Sequence, residues 1–442
     1  MGDERDEQAA AGGFRQGRVG RFVKIASLAT RVSSSYLGQR IKRAFVSAER
    51  AARSLDAAHL RNAERVTRAL GSLKGAVMKV GQMVSLNPEL LPDVYTRLLS
   101  GLQKGAPPVR FEVIAGQLEA ELGRPLDRVF ARLDEQPFAS ASIGQVHRGR
   151  LHDGRDVAVK VQYPGVDRTV ESDIRNLRTV LRSAGLLSEK RGWEVLVDEV
   201  RDRLAEELDY RNELANMEAF SRLFAGDARL VVPRAHADLT TRRALFMDYV
   251  PGKDFSALCE RPKPEREAAG HVMMDLYLRQ FLVHRTLHAD PNPANYAFLP
   301  DGRLVLYDYG CVRRYSDVFI RDFARLLRET IAGRHDRLPA NLAGIGLVPM
   351  DGESFEPEFY AQFATPILEP FATDELYDFG QSRIHEDLLR VGMANWHDGL
   401  KLRPPAEVVF LDRVVVGMYN NLRQLGARGN WHRLLLSYLE GL

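Results

Sequence analysis

A chain of 442 residues, 45% of them apolar and 8% aromatic, carries enough hydrophobic surface to bury one large core or two, which excludes wholesale disorder. Its 62 basic and 59 acidic residues nearly cancel to a net +3, so nothing chain-wide draws it to polyanions and nucleic acid is not an expected partner. Only Cys259 and Cys311 are present, which excludes a disulfide framework or a multi-cysteine metal site and points to a reducing compartment, the cytoplasm being expected.

In chain order, residues 1–13 read as an acidic, disordered tail that lacks the pattern of a secretory signal. Residues 14–45 hold Arg15, Arg18, Arg21, Lys24, Arg31, Arg40, Lys42 and Arg43 with no acidic residue, while Phe22, Ile25, Leu28 or Ala29, and Val32 recur at helical spacing. Such a segment suits peripheral contact with an anionic membrane at the inner face, and equally suits docking on the protein's own core. No stretch reaches about 18 uncharged apolar residues, so no membrane span is expected.

Residues 46–125 form an expected helical extension, in which "LGSLKGAVMKVGQMVSL" is stopped by the prolines of "NPELLP". Lys79 and Gln82, three apart, share one face of that helix. Residues 126–250 change character: "RVFARLDEQPFASASIGQVHRGRLHDGRDVAVKVQYPG" alternates like strands with "HDGR" as a hairpin turn, helices return over 166–225, and "LVVPRAHADLTTRRALFMDYVPG" supplies two more strands. Residues 251–442 read as helical apart from one hairpin.

Candidate chemistry begins at Ala139-x-Ala141-x-x-Gly144-x-Val146, followed fourteen residues later by Lys160 at the end of "VAVK". This is the spacing of a kinase phosphate loop and its strand lysine, with alanines where two glycines are usual. Ala139, Ser140, Ala141, Ser142, Ile143, Gly144 and Val146 are therefore candidate nucleotide contacts, as are Lys160 and a hinge at Met247, Asp248, Tyr249 and Val250. Farther on, His288-x-Asp290 and Asn295 have the spacing of a kinase catalytic loop, and a hairpin leads to Asp308-Tyr309-Gly310. Aspartate can orient or deprotonate an attacking group, while Asn295 and Asp308 offer the hard oxygens that Mg²⁺ prefers. Glu206, Glu207, Asp209 and Glu213 lie on a charged helix between these motifs, and one of them is expected to pair with Lys160. Glu207 and Glu213 point to different sides of a continuous helix, so they can serve one partner only if the helix breaks near Tyr210.

From about residue 60 onward the chain resembles the UbiB (AarF) family of protein-kinase-like ATPases. The resemblance rests on Lys79-Val80-Gly81-Gln82 (K-x-G-Q), the alanine-rich loop with "SIGQVH", Glu207-Leu208-Asp209 (E-x-D), "HADPNPAN" and "DYG". It implies an α+β, protein-kinase-like bilobal fold, with a small antiparallel-sheet N-lobe, a helical C-lobe and an N-terminal helical extension. It implies ATP or ADP and Mg²⁺ as cofactors, a Lys160–Glu213 pair, Asp290 as the catalytic-loop aspartate, and Asn295 and Asp308 as metal ligands. It further implies that Lys79 and Gln82 fold over the site toward Glu207 and Asp209, and that the protein is an atypical kinase or ATPase supporting isoprenoid-quinone or membrane-lipid metabolism with a lipid or quinone-intermediate ligand.

Three residues depart from the family pattern. Asn292 stands for the usual histidine, Ala294 for a glycine, and Ser140 interrupts the alanines. A methyl group at 294 would displace Asn295 if the backbone there needed positive φ. Two other classes compete: a small-molecule phosphotransferase of the aminoglycoside-kinase type, against which the K-x-G-Q and E-x-D pairs argue, and a non-catalytic scaffold that binds nucleotide as a switch.

Overall fold

The computed structural model describes residues 109–141, 143–167, 174–175, 201, 205–399 and 401–442. The segment 14–45, Lys79, Gln82 and Ser142 lie outside the described residues. The described residues fall into two compact units, one drawn from 109–118, 135–146 and 160–208, the other from 119–134, 147–159 and 209–442.

The elements used below are, in order, α1 (Phe111–Leu122), β1 (Phe130–Leu133), β2 (Ala139–Ala141), β3 (Gly144–Leu151), β4 (Asp156–Gln162), α2 (Tyr210–Leu223), β5 (Leu230–Val231), β6 (Ala244–Asp248) and β7 (Lys253–Asp254). They continue as α3 (Lys263–Leu278), β8 (Thr286–His288), β9 (Tyr296–Phe298), β10 (Leu304–Leu306), β11 (Val312–Arg314), α4 (Asp317–Ile331), α5 (Ala406–Leu425) and α6 (Trp431–Leu439).

In the first unit the alanine-rich loop is a β-hairpin. Ala139, Ser140 and Ala141 of β2 pair with Val146, Gln145 and Gly144 of β3. Buried Gln145 spans a backbone end: its Oε1 accepts from Val109 N at 2.9 Å and its Nε2 donates to Val109 O at 3.2 Å. A buried amide satisfied at both ends is a rigid tie.

One sheet runs β1–β3–β4–β6. The "HDGR" turn forms as read from the sequence: Leu151 N–H donates to Arg155 O, and Gly154 takes φ +90, a conformation open to glycine at little cost. Where β1 meets β3, a Cβ on Gly149 would come 2.9 Å from the Phe130 ring, so this position too requires glycine. A second sheet has the order β5–β10–β9–β7, and β8 pairs with β11 separately, His288 opposite Val312. These two sheets hold the catalytic-loop motifs, and helices make up most of the rest. This is the α+β, kinase-like class expected.

An ionic cluster ties the start of β5 to α3 and α6. Asp227 Oδ2 lies 2.7 Å from Arg229 Nη2 and 3.0 Å from Arg279 Nη1, and the Tyr438 hydroxyl donates to Asp275 at 2.6 Å. The Asp227 side chain is only 6% exposed, and the hydrogen bond from Arg229 holds its carboxyl down at about 2. A depressed folded-state pKa stabilises the fold above the unfolded value, and that contribution is lost as pH falls through the folded value. Asp227→Asn is therefore expected to cost up to about 2 kcal/mol at pH 7 and to flatten the loss of stability between about pH 4 and pH 2, measured as the unfolding midpoint against pH. A variant whose midpoint falls with acid as steeply as the parent's would refute the assignment.

Candidate functional site

The site in the second unit is built on the β9–β10 hairpin. Leu306 pairs with Tyr296, and Tyr307 N–H continues the ladder to Asn295 O at 3.1 Å, which brings Asn295 and Asp308 to the same end of the hairpin. From the other side, Ala289 N–H donates to Cys311 O at 2.8 Å. Residues 288–295 and 308–311 are thus joined by backbone hydrogen bonds at both edges.

Histidine 288 is the buried core of this junction. Its Nε2 meets the carbonyl oxygen of Asp308, its backbone N–H donates to Gln280 Oε1 at 2.9 Å, and its ring stands edge-on to Tyr309 and Tyr296. Gln280 reaches it from a single π-helical turn, Arg279–Val283, at the end of α3. Such turns insert one residue and so re-aim a side chain.

The two departures near Asn295 resolve locally. Ala294 lies in a 3₁₀ turn, Pro293–Asn295, and Arg285 is the only non-glycine among the described residues with positive φ, so the alanine methyl is tolerated. Asn292 caps the same turn, its Oδ1 accepting from Ala294 N at 3.1 Å, a role asparagine performs well. Asn295 then donates through Nδ2 to Asp290 O at 3.3 Å.

Helix α2 clamps the D-Y-G segment. Glu213 Oε1 accepts from Tyr309 N at 3.3 Å and Asn216 Nδ2 donates to Tyr309 O at 3.0 Å, so one turn of helix satisfies both backbone groups of a single residue. One further turn on, Phe220 packs edge-on against the Tyr309 ring with centroids 5.1 Å apart. Tyr309 is fully buried, its hydroxyl has no hydrogen-bond partner among the described residues, and burial drives its pKa far up. It therefore packs as a phenylalanine would. Gly310 N–H donates to Asp308 Oδ1 at 2.8 Å, and a Cβ on Gly310 would lie 3.1 Å from that oxygen, which explains the glycine.

The acidic helix does break. Leu208 is a turn and Asp209 is extended (φ −133, ψ 99), acting as N-cap of α2 by accepting from Arg211 N at 3.1 Å. Arg211 also holds the Asp209 carboxyl below its ordinary range. On a continuous helix Asp209 and Glu213 would share a face; the cap places Asp209 outside it. In the first unit Glu207 accepts through its carbonyl from Gln162 Nε2 at 2.9 Å.

Lys160 is buried at 8% exposure on β4 in the first unit, and Glu213 is buried at 4% in the second. Of the loop, Ala139 and Ser140 are exposed, Ala141 and Val146 half-buried and Gly144 buried; the Ile143 side chain is wholly buried, and its carbonyl already accepts from Tyr163 N–H. Ile143 is a core residue rather than a side-chain contact for a ligand. At the hinge, Met247 is buried, Asp248 and Tyr249 N–H donate to Arg234 O and Asp156 O, and Val250 O accepts the Tyr307 hydroxyl at 2.8 Å. The backbone N–H groups of Asp248 and Tyr249, two of the candidate nucleotide contacts, are thus engaged within the protein.

Asn216, Gln280 and the helix α5 behind Asp290 were not singled out in the sequence. Asn216 alone had a signal, lying three residues beyond Glu213 and hence on its face.

Among the described residues no group of three His, Cys, Asp or Glu side chains is set to hold a metal. The donor chemistry at 295 and 308 fits Mg²⁺ nonetheless. With Nδ2 engaged, Asn295 offers its amide oxygen, and with Asp308 it makes a pair of hard oxygen ligands, as suits an ion that keeps several waters. No described helix is long and apolar enough to cross a membrane.

Residues 101–340 match the ABC1 atypical kinase-like domain. The chain is 29% identical over 391 residues to atypical kinase coq-8, mitochondrial, of Caenorhabditis elegans, covering 86% of this chain and 52% of that protein. It is 31% identical over 365 residues to atypical kinase COQ8B, mitochondrial, of Rattus norvegicus, covering 81% and 68%. It thus spans about half the length of the first relative and two thirds of the second. Among solved structures, that of the Rv3197–erythromycin complex from Mycobacterium tuberculosis aligns with TM-score 0.60 and 25% identity over 88% of this chain and 97% of that one. With more than half of its length inside the matched domain, the chain belongs to the ABC1, or UbiB/AarF, family of atypical kinase-like proteins.

Proposed function

We propose that the protein is a Mg²⁺-dependent, ATP-binding atypical kinase or ATPase that supports isoprenoid-quinone or membrane-lipid metabolism. The observation that carries this is the closed junction in which one hairpin end gathers Asn295 and Asp308 next to the His288–Asp290 loop while Glu213 grips the backbone of Tyr309. Bound Mg²⁺ would neutralise charge on the nucleotide phosphates. The chain's own residues then divide the work. Asn295 and Asp308 hold the metal through oxygen, and Asp290 orients or takes the proton from the attacking group. Lys160, paired with Glu213, holds the phosphates, under the hairpin of Ala139, Ser140, Ala141 and Gly144. Lys79 and Gln82, with Glu207 and Asp209, act as a lid over the site, and residues 14–45 bring the protein to an anionic membrane surface from the cytoplasmic side.

The purified chain is expected to show a thermal-midpoint increase with ATP or ADP that requires Mg²⁺, and slow release of phosphate from ATP. Absence of any shift with either nucleotide and Mg²⁺ sinks the reading. A lipid-extract profile of a strain lacking the gene, read for altered quinone intermediates, tests the metabolic assignment separately.

A further inference from the structure

Helix α5 lies beyond the matched domain, which ends at residue 340, yet three of its residues spaced by four reach the loop that carries Asp290. Arg413 Nη2 lies 3.6 Å from Asp290 Oδ1. Gly417 makes room for the next residue of the loop: a Cβ there would sit 2.3 Å from Pro291 Cγ. Asn421, wholly buried, donates from Nδ2 to Pro291 O at 2.8 Å. Spacing of four keeps all three on one helical stripe.

Arg413 is the informative member. It is 5% exposed, and burying a guanidinium is costly unless a partner offsets the lost hydration. Asp290 is the one ion-pair partner recorded for it among the described residues, and its Nε and Nη1 have no hydrogen-bond partner there. Among the described residues no other ion pair accounts for placing a cation at that depth, whereas a carboxylate that must be held in one orientation does.

We propose that Arg413 is a positioning residue for Asp290, and that α5 completes the catalytic unit from outside the family domain. This rests on the reading of Asp290 as the catalytic-loop aspartate. The guanidinium fixes where the carboxylate points, while Gly417 and Asn421 fix the backbone beside it. Loss of such positioning acts first on the chemical step, because the guanidinium meets the Asp290 carboxylate and none of the side chains assigned to the nucleotide or the metal.

The test uses the full chain carrying Arg413→Met, Arg413→Lys or Asn421→Ala, with two readouts. In steady-state ATP turnover, Arg413→Met is expected to lower kcat on the order of 10-fold to 100-fold with KM for ATP little changed, and Arg413→Lys to recover part of the loss by keeping the charge without the planar fork. In hydrogen exchange without nucleotide, peptides covering residues 288–297 are expected to exchange faster in Arg413→Met and Asn421→Ala, while those of β1 and β3 keep their protection. Unchanged kcat in Arg413→Met, or a raised KM with kcat intact, overturns the proposal, the latter by making Arg413 a binding residue. If the parent chain turns over no ATP, the functional reading fails, and unchanged exchange at 288–297 still overturns the positioning role by itself.

Discussion

Asp308→Asn is expected to abolish the Mg²⁺-dependent component of nucleotide binding and to lower ATP turnover by more than about 100-fold. Loss of outer residues that merely support a metal ligand costs about 10-fold to 100-fold, and a ligand itself costs more. The substitution is nearly isosteric, and its amide oxygen can still accept the Gly310 N–H that Asp308 Oδ1 takes at 2.8 Å. The backbone junction of Tyr307 with Asn295 does not involve the side chain. The shift produced by nucleotide with Mg²⁺, read against the variant's own nucleotide-free thermal midpoint, should vanish. A variant that binds nucleotide with the same Mg²⁺ dependence removes Asp308 from the metal site.

Phe220→Ala is expected to cost about 3 to 5 kcal/mol, measured from the denaturant midpoint with an unchanged slope. Phe220 is completely buried, with ring centroids 5.9 Å from Phe224, 6.4 Å from His288 and 5.1 Å from Tyr309. Its removal leaves a cavity between α2 and both motif segments, which a static backbone cannot close. Phe220→Leu keeps most of the volume and is expected to lose less than about 1.5 kcal/mol. An alanine variant as stable as the parent would mean that the three rings are not packed as described.

Much of the hairpin site was legible in the order of residues because it is local. Asn295 and Asp308 face the same end of one β-hairpin, and a turn such as "PDGR" between two short apolar runs announces that geometry. The break at Asp209 was legible only as a condition, since spacing shows that Glu207 and Glu213 disagree but not how the chain resolves the disagreement. It does so through a cap, with Asp209 turning its carboxylate to Arg211. At Ala294 too the sequence yields only a condition: the methyl group would displace Asn295 if the backbone needed positive φ, and here the residue sits in a 3₁₀ turn where an L side chain fits.

The sequence by itself determined the family, the fold class and the succession of motifs, because those depend on residue types at short, regular intervals. Only the tertiary structure decided what supports them. Asn216 reaches Tyr309 across 93 residues, and Asn421 reaches Pro291 across 130. The burial of Arg413 against Asp290 belongs to the same class. Periodicity carries no information about such pairs: each helix reads as an ordinary amphipathic segment until packing sets one of its faces against a loop.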